Sequence, residues 1–464
     1  MSEQTASAQN RPQNSLAATL AEKPLRAAIL ALALPVMAEQ ILATVTQVVD
    51  MAMVGRLGAE SIAAVGVSMQ PFMLAMSLFS AVSVGNTALV ARFIGAGEPD
   101  NASRTLTQSL LIAAIFAGLI AVIGFLFAPQ LVNIMNPETD VLELAVRYVR
   151  FMMPGIFFML SSMMITGSLR GAGDTRTPMK VNMMINILNP ILNWLLIFGN
   201  LGFPRMGVAG AALATTIARS VGGLTFVYIV FSGRRVLHIR KEHLRRGFDW
   251  PLIKRMLNIG LPAAVEQLIT RSGQILYART VSGLGTVLYA AHQVTINAES
   301  ISYMPGFGFS AAATTLVGQN LGAKNPQRAS QAGREAWKLG ATLMGAMGVL
   351  LFLIPGLLMR IYTDDPDVIM YGSQCLRIAA FSQIPMGTSF IMSGALRGAG
   401  DTRFMLFVST ASVWFVRLGL SLLFINVFGW SLAGAWLAQL MDWVVRGGVA
   451  FLRFRSGKWA TIKV

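Results

Sequence analysis

The octapeptide Leu-Arg-Gly-Ala-Gly-Asp-Thr-Arg occurs twice, at Leu169–Arg176 and Leu396–Arg403, 227 residues apart. The same offset carries Leu34-Pro35 and Glu39-Gln40 onto Leu261-Pro262 and Glu266-Gln267. It also carries Leu57-Gly58 onto Leu284-Gly285 and Gly95-Ala96 onto Gly322-Ala323. A register held over so many segments marks a duplication, so whatever the first half builds the second half builds again. The register slips by three only late, where Gly210 matches Gly434 across a shorter loop.

The duplicated unit is a membrane unit. Only 12% of the residues are charged and 54% are hydrophobic, against roughly 25% charged in a soluble domain. Residues 106–128 and 339–359 run without an internal charge, long enough to cross a bilayer core. A helix satisfies its own backbone hydrogen bonds in lipid, so these runs read as helices. The expected fold is all-α and polytopic: twelve transmembrane helices in two pseudo-symmetric six-helix bundles. The spans predicted are 27–50, 60–84, 106–128, 145–167, 179–199 and 208–231, then 253–280, 287–316, 336–357, 371–394, 405–427 and 431–453. An even number of spans per copy makes this a parallel repeat, related by an axis along the membrane normal. The divisions are a tail 1–25, an N-lobe 26–232, a linker 233–252, a C-lobe 253–455 and a tail 456–464.

A net charge of +16 could suggest a nucleic-acid partner, but its distribution argues otherwise. Lys and Arg gather in 92–104, 170–180, 234–255, 324–338 and 397–403, with eight between Arg234 and Arg255. The alternate loops are short, acidic or nearly uncharged. This is the positive-inside pattern, and it puts both termini in the cytoplasm. Residues 1–22 lack a secretory signal and read as a disordered tail. One cysteine, Cys375, and three histidines leave no material for a disulfide framework or a metal cluster.

Ionisable residues at membrane depth are functional candidates by default. Glu39 and Asp50 lie eleven apart on the first helix, three turns, and so share a face; Pro35 permits a bend. On the fifth helix Asn182, Asn186, Asn189 and Asn193 fall at steps of four, three and four, one stripe that should face the bundle interior. The functional reading is a cation or proton site, with amide oxygens and the Thr215 hydroxyl supporting Asp50. Oxygen ligands suit Na⁺, and a lone carboxylate suits H⁺. The alternative is interhelical hydrogen-bond glue. At offset 227 Asp50 becomes Tyr277 and Asn189 becomes Val416, so the polar chemistry of the halves diverges. The second half offers instead a Glu266–Arg417–Asp442 network, read either as a coupling site or as a structural charge cluster, with Gln293 as a further cavity residue. The octapeptide loops read as hinges and packing elements whose aspartates, Asp174 and Asp401, pair with flanking arginines.

Two six-helix copies with such a loop after each fourth helix resemble the MATE (multidrug and toxic compound extrusion) transporters over residues 26–455. The resembling segments are Pro35, Val49-Asp50 and Gly55-Arg56-Leu57-Gly58, then Asn189-Pro190-Ile191-Leu192-Asn193-Trp194 and Gly207–Thr215. The resemblance implies that Asp50, Asn189, Asn193 and Thr215 line an N-lobe cation site. The NorM-like branch places acidic residues where Thr270 and Met386 stand, so the DinF-like branch fits better, although it often has aspartate where Asn193 stands. The implied function is secondary antiport, not enzymatic catalysis: inward H⁺ or Na⁺ drives export of amphipathic, cationic organic compounds from a monomer in a bacterial-type inner membrane. No cofactor beyond the coupling ion is expected, and the partners are small organic substrates and the lipid bilayer. The competing expectation is a flippase for lipids or lipid-linked sugars, which needs cationic cavity walls from Arg271, Arg377, Arg417 and Arg446.

Overall fold

A computed structural model describes residues 23–233 and 236–462. Residues 1–22 of the expected first tail, Arg234 and Arg235 of the basic linker, and residues 463–464 of the expected last tail lie outside them. The first half contributes the long helices α1 (Leu25–Gly55), α2 (Ala59–Gly95), α3 (Pro99–Leu126), α4 (Thr139–Gly171), α5 (Arg176–Phe198) and α6 (Val208–Phe231). The second contributes α7 (Trp250–Ser282), α8 in two segments (Thr286–Ser300 and Met304–Gly322), α9 (Pro326–Leu353), α10 (Pro366–Ala399), α11 (Thr402–Asn426) and α12 (Ser431–Arg455). Among the described residues every element is helical.

Helices outrun the predicted spans at both ends, and furthest at the end that carries the basic loops, in α2 and α9. The spans were cut where charges begin, but a helix stops only where its backbone does. α2 continues to Gly95, followed by Gly97 at φ 77°; α10 ends at Gly400 in the left-handed region at φ 85°, a C-terminal stop open to glycine. Proline shapes the interiors. α4 passes through a 3-10 turn at Met153–Gly155, around Pro154, and α8 breaks before Pro305, which lacks an N–H and crowds the carbonyl four residues back. α11 widens into a π-helical turn at Ser412–Leu418.

Among the described residues eight helices are long and apolar enough to cross a membrane by length and composition. The four long helices outside that set, α7, α8, α10 and α12, all belong to the second half. Charges inside α7 (Glu266, Arg271) and α12 (Asp442, Arg446) lower their hydropathy, and α8 is interrupted.

The cores do not respect the division into halves. Ala28, Ile29, Leu32 and Ala33 of α1 pack with Phe309, Ala312 and Leu316 of α8. Reciprocally, Leu252, Met256 and Ile259 of α7 pack into the first-half core. These crossings gather at the basic-loop end and reach as far as the close approach of Gly260 to the Ala81 carbonyl and a Thr44 Oγ1–Met304 Sδ contact of 4.0 Å. Beyond them α1 exposes Val45, Val48 and Met51, and α7 exposes Arg271 and Ile275. The linker from residue 236 on is docked: Leu237 and Ile239 are buried against the first half, and Arg104 pairs with Asp249 at 2.6 Å. The final turn is packed too, with Trp459 stacked on Phe454.

Candidate functional site

Asp50 sits on α1 towards the end opposite the basic loops, facing α5. Asn193 Nδ2 donates to Asp50 Oδ1 at 2.7 Å. With its amide nitrogen turned to the same carboxylate, Asn189 donates to Oδ2 and Oδ1 at 2.8 and 2.7 Å, and its oxygen accepts from Thr215 Oγ1 at 3.1 Å. Asp50, Asn189, Asn193 and Thr215, predicted as a set, are thus one hydrogen-bonded cluster joining α1, α5 and α6. The helical steps explain it: Asn189 and Asn193 are one turn apart on the face of α5 that packs on α1. Asn193 Oδ1 is buried and has no hydrogen-bond partner among the described residues. Such an acceptor beside a carboxylate suits a cation, because an unpaired buried oxygen is costly.

Arg219, one turn beyond Thr215 on α6, acts electrostatically on Asp50. The sequence reading passed over it, although its four-residue spacing from Thr215 was the available signal.

The rest of the α5 stripe divides. Asn182 Nδ2 donates to Glu39 Oε1 at 2.8 Å, so the stripe grips α1 at two levels. Asn186 touches α1 through its backbone carbonyl, which accepts from Thr46 at 3.2 Å. Glu39 is a buried ion-pair partner rather than a free cavity group. Arg170 Nη2 donates to both its oxygens at 2.8 Å. Pro35 lies within α1, one turn before it.

The structure corrects the expected Glu266–Arg417–Asp442 network, which separates into two clusters. Glu266 pairs with Arg397 at 3.4 Å and accepts from Ser409 at 2.7 Å. Those partners, shifted by 227, are Arg170 and Asn182, so this polar triad is shared by both halves and the expected divergence does not extend to it. Asp442 instead binds Arg417 at 2.8 Å and also Arg446, one turn along α12. Asp442 is fully buried, and both arginines are nearly so. Arg417 reaches it from the π-helical turn of α11, which sequence periodicity did not announce; it also stacks near Tyr277 and Trp443. Gln293 is exposed and donates to Tyr289 Oη at 2.7 Å. Asp401 pairs with Arg453 of α12, where a flanking arginine was expected, and Asp174 accepts from the Thr177 N–H and hydroxyl.

Duplicated helical halves that interlock at one end and carry ionisable residues at helix depth define the class of multi-pass membrane transporters. The sequence profile of the MatE family matches residues 35–195 and 262–423, two segments whose starts differ by the internal offset of 227. The chain belongs to the MatE family, a family of transporters rather than enzymes. It is 35% identical to a probable multidrug resistance protein NorM of Thermotoga maritima, over 94% of this chain and 93% of that protein. It is 29% identical to the multidrug resistance protein MdtK of Cronobacter sakazakii, over 90% and 88%. In structure it is similar to an outward-facing multidrug resistance MATE family transporter of the MOP superfamily, with a TM-score of 0.87, 24% identity and coverage of 94% of this chain and 97% of that one.

Proposed function

We propose that the protein is a multidrug efflux antiporter in which inward H⁺ or Na⁺ at Asp50 drives export of amphipathic, cationic organic compounds. The observation that carries the reading is the Asp50 cluster: a membrane-depth carboxylate held by two amides, with the unpaired Asn193 oxygen beside it, in a chain of this family. When Asp50 is ionised, both amides donate to it. Protonation turns one carboxyl oxygen into a donor, and Asn189 then accepts by rotating its amide. A Na⁺ ion would draw the amide oxygens, Thr215 Oγ1 and the carboxylate inward together. Either event changes how α5 grips α1.

We further read the chain as twelve spans in two six-helix lobes, 26–232 and 253–455, with the basic loops and both termini cytoplasmic in a bacterial-type inner membrane. On this reading the interlocked basic end makes the structure closed to the cytoplasm. Thr270 and Met386, where the NorM-like branch has acidic residues, support placement in the DinF-like branch. We read the functional unit as a monomer. The flippase reading loses support, because Arg417 and Arg446 are turned onto Asp442. The test is transport in proteoliposomes under an imposed pH or Na⁺ gradient. Export that ignores both gradients would sink the antiport reading.

A further inference from the structure

We infer that the two repeated octapeptide loops are the jaws of a gate closing the basic-loop end, each set by an arginine bound to a first-helix glutamate of its own half. Three sets of contacts converge on the loops. The first holds the side chain: Arg170 binds Glu39, which also accepts from Asn182. In the second half Arg397 binds Glu266, which also accepts from Ser409. Glutamate, arginine and third partner are each related by 227 residues.

The second set comes from the opposite half and lands on the loop backbone. Thr315 Oγ1 donates to the Arg170 carbonyl and Gln319 Nε2 to the Gly171 carbonyl, both at 2.9 Å. Reciprocally, Arg92 Nη2 donates to the Ala399 carbonyl at 2.7 Å. Arg92 and Gln319 are again offset-related, so each half latches onto the other's loop from the same position. The third set is the seam itself. A Cβ built on Gly95 would lie 1.9 Å from the Gln319 carbonyl oxygen, and one on Gly322 would lie 2.0 Å from that of Arg92. Here glycine allows a backbone approach that no other residue could share.

Each motif arginine therefore faces two ways, with its guanidinium on its own half's first helix and its loop backbone under the other half's donors. A charge-assisted carboxylate–guanidinium bond fixes geometry more firmly than neutral contacts do. The first-half clamp is the tighter one, with three contacts at 2.8 Å against 3.4 and 2.7 Å in the second. Glu39 lies one turn beyond Pro35 and on the α1 face that carries Asp50, and α5 holds both carboxylates. A shift of α1 started at Asp50 therefore reaches the Arg170 loop through a single helix. This extends the two-state reading above, but closure of the gate can be measured with no gradient or substrate present, so failure here leaves antiport standing.

The experiment places spin labels on the full-length protein in lipid nanodiscs at Ala96→Cys and Ala323→Cys, two exposed, offset-related positions flanking the seam. The background is Cys375→Ser, since the native thiol is buried. The parent should show strong dipolar coupling between the labels. Glu39→Gln should raise the ratio of separated to coupled labels about tenfold, Glu266→Gln should raise it less, and Glu39→Asp should retain most of the coupling. Where Glu39→Gln does not fold, Asn182→Ala, which removes one of the three contacts, should give a smaller rise in the same direction. Parent-like coupling in the folded Glu39→Gln protein, or in Asn182→Ala where that stands in, would overturn the gate.

Discussion

The seam glycines allow the gate geometry to be tested without touching any charge. Gly95→Ala and Gly322→Ala each put a methyl about 2 Å from a carbonyl oxygen of the opposite half, where ordinary contact needs more than 3 Å. The obstacle is backbone, not the end of a flexible side chain, so α2 and α8 must part by about 1 Å. Overpacking of this kind costs about 1–3 kcal/mol. The cost falls on the closed arrangement alone, because the seam is absent once the halves separate. A bias of that size changes a two-state ratio by about 5- to 150-fold, and the double substitution should exceed either single one. The assay uses a cysteine at Ala88, which is buried near the seam, and a membrane-impermeant maleimide applied from the basic-loop side. Labelling should be slow in the parent and at least several-fold faster in the double variant. Gly118→Ala is the control, since a Cβ there meets nothing within 4 Å; it should leave labelling unchanged and add up to about 1 kcal/mol of helix stability. Equal labelling of parent and double variant would refute the claim that these glycines hold the closed state.

Asp50→Asn keeps the shape of the carboxylate and its capacity to accept from Asn193, so the melting temperature in detergent should stay within a few degrees of the parent. Gradient-driven export should fall to the level of passive leak, and undiminished export would remove Asp50 from the coupling role. For a one-for-one exchange with H⁺, each pH unit supplies about 1.4 kcal/mol, a tenfold substrate gradient, which substrate accumulation in vesicles measures directly. Asp442→Ala leaves Arg417 and Arg446 buried without their carboxylate and should cost about 3–5 kcal/mol, seen as a lowered melting temperature. Arg26→Ala breaks an exposed pair with Glu335 and should change stability by less than about 1 kcal/mol in the same measurement.

The repeat was legible because it is a matter of letters in register, and so was the stripe on α5, because helical spacing fixes which residues share a face. From these the sequence specified the duplicated helical architecture and an amide stripe turned towards Asp50, while the choice of Asn189, Asn193 and Thr215 as its partners came from the resemblance to the MATE transporters. It did not specify which side chain answers Glu266. Applying the offset to a Glu39–Arg170 pair would have named Arg397, but that first pair joins residues 131 positions apart, and no local period records such a contact. Arg417 shows the other limit. Its direction depends on a π-helical turn in α11, where the backbone gains a residue against the regular period, so projecting a uniform helix misplaces it. The gate is wholly tertiary. The glycines at 95 and 322 are ordinary letters in the sequence, and only the packed halves show each one lying against a carbonyl of the other copy. Local spacing fixes what one helix presents, while the partner across an interface is decided by how the halves close on each other.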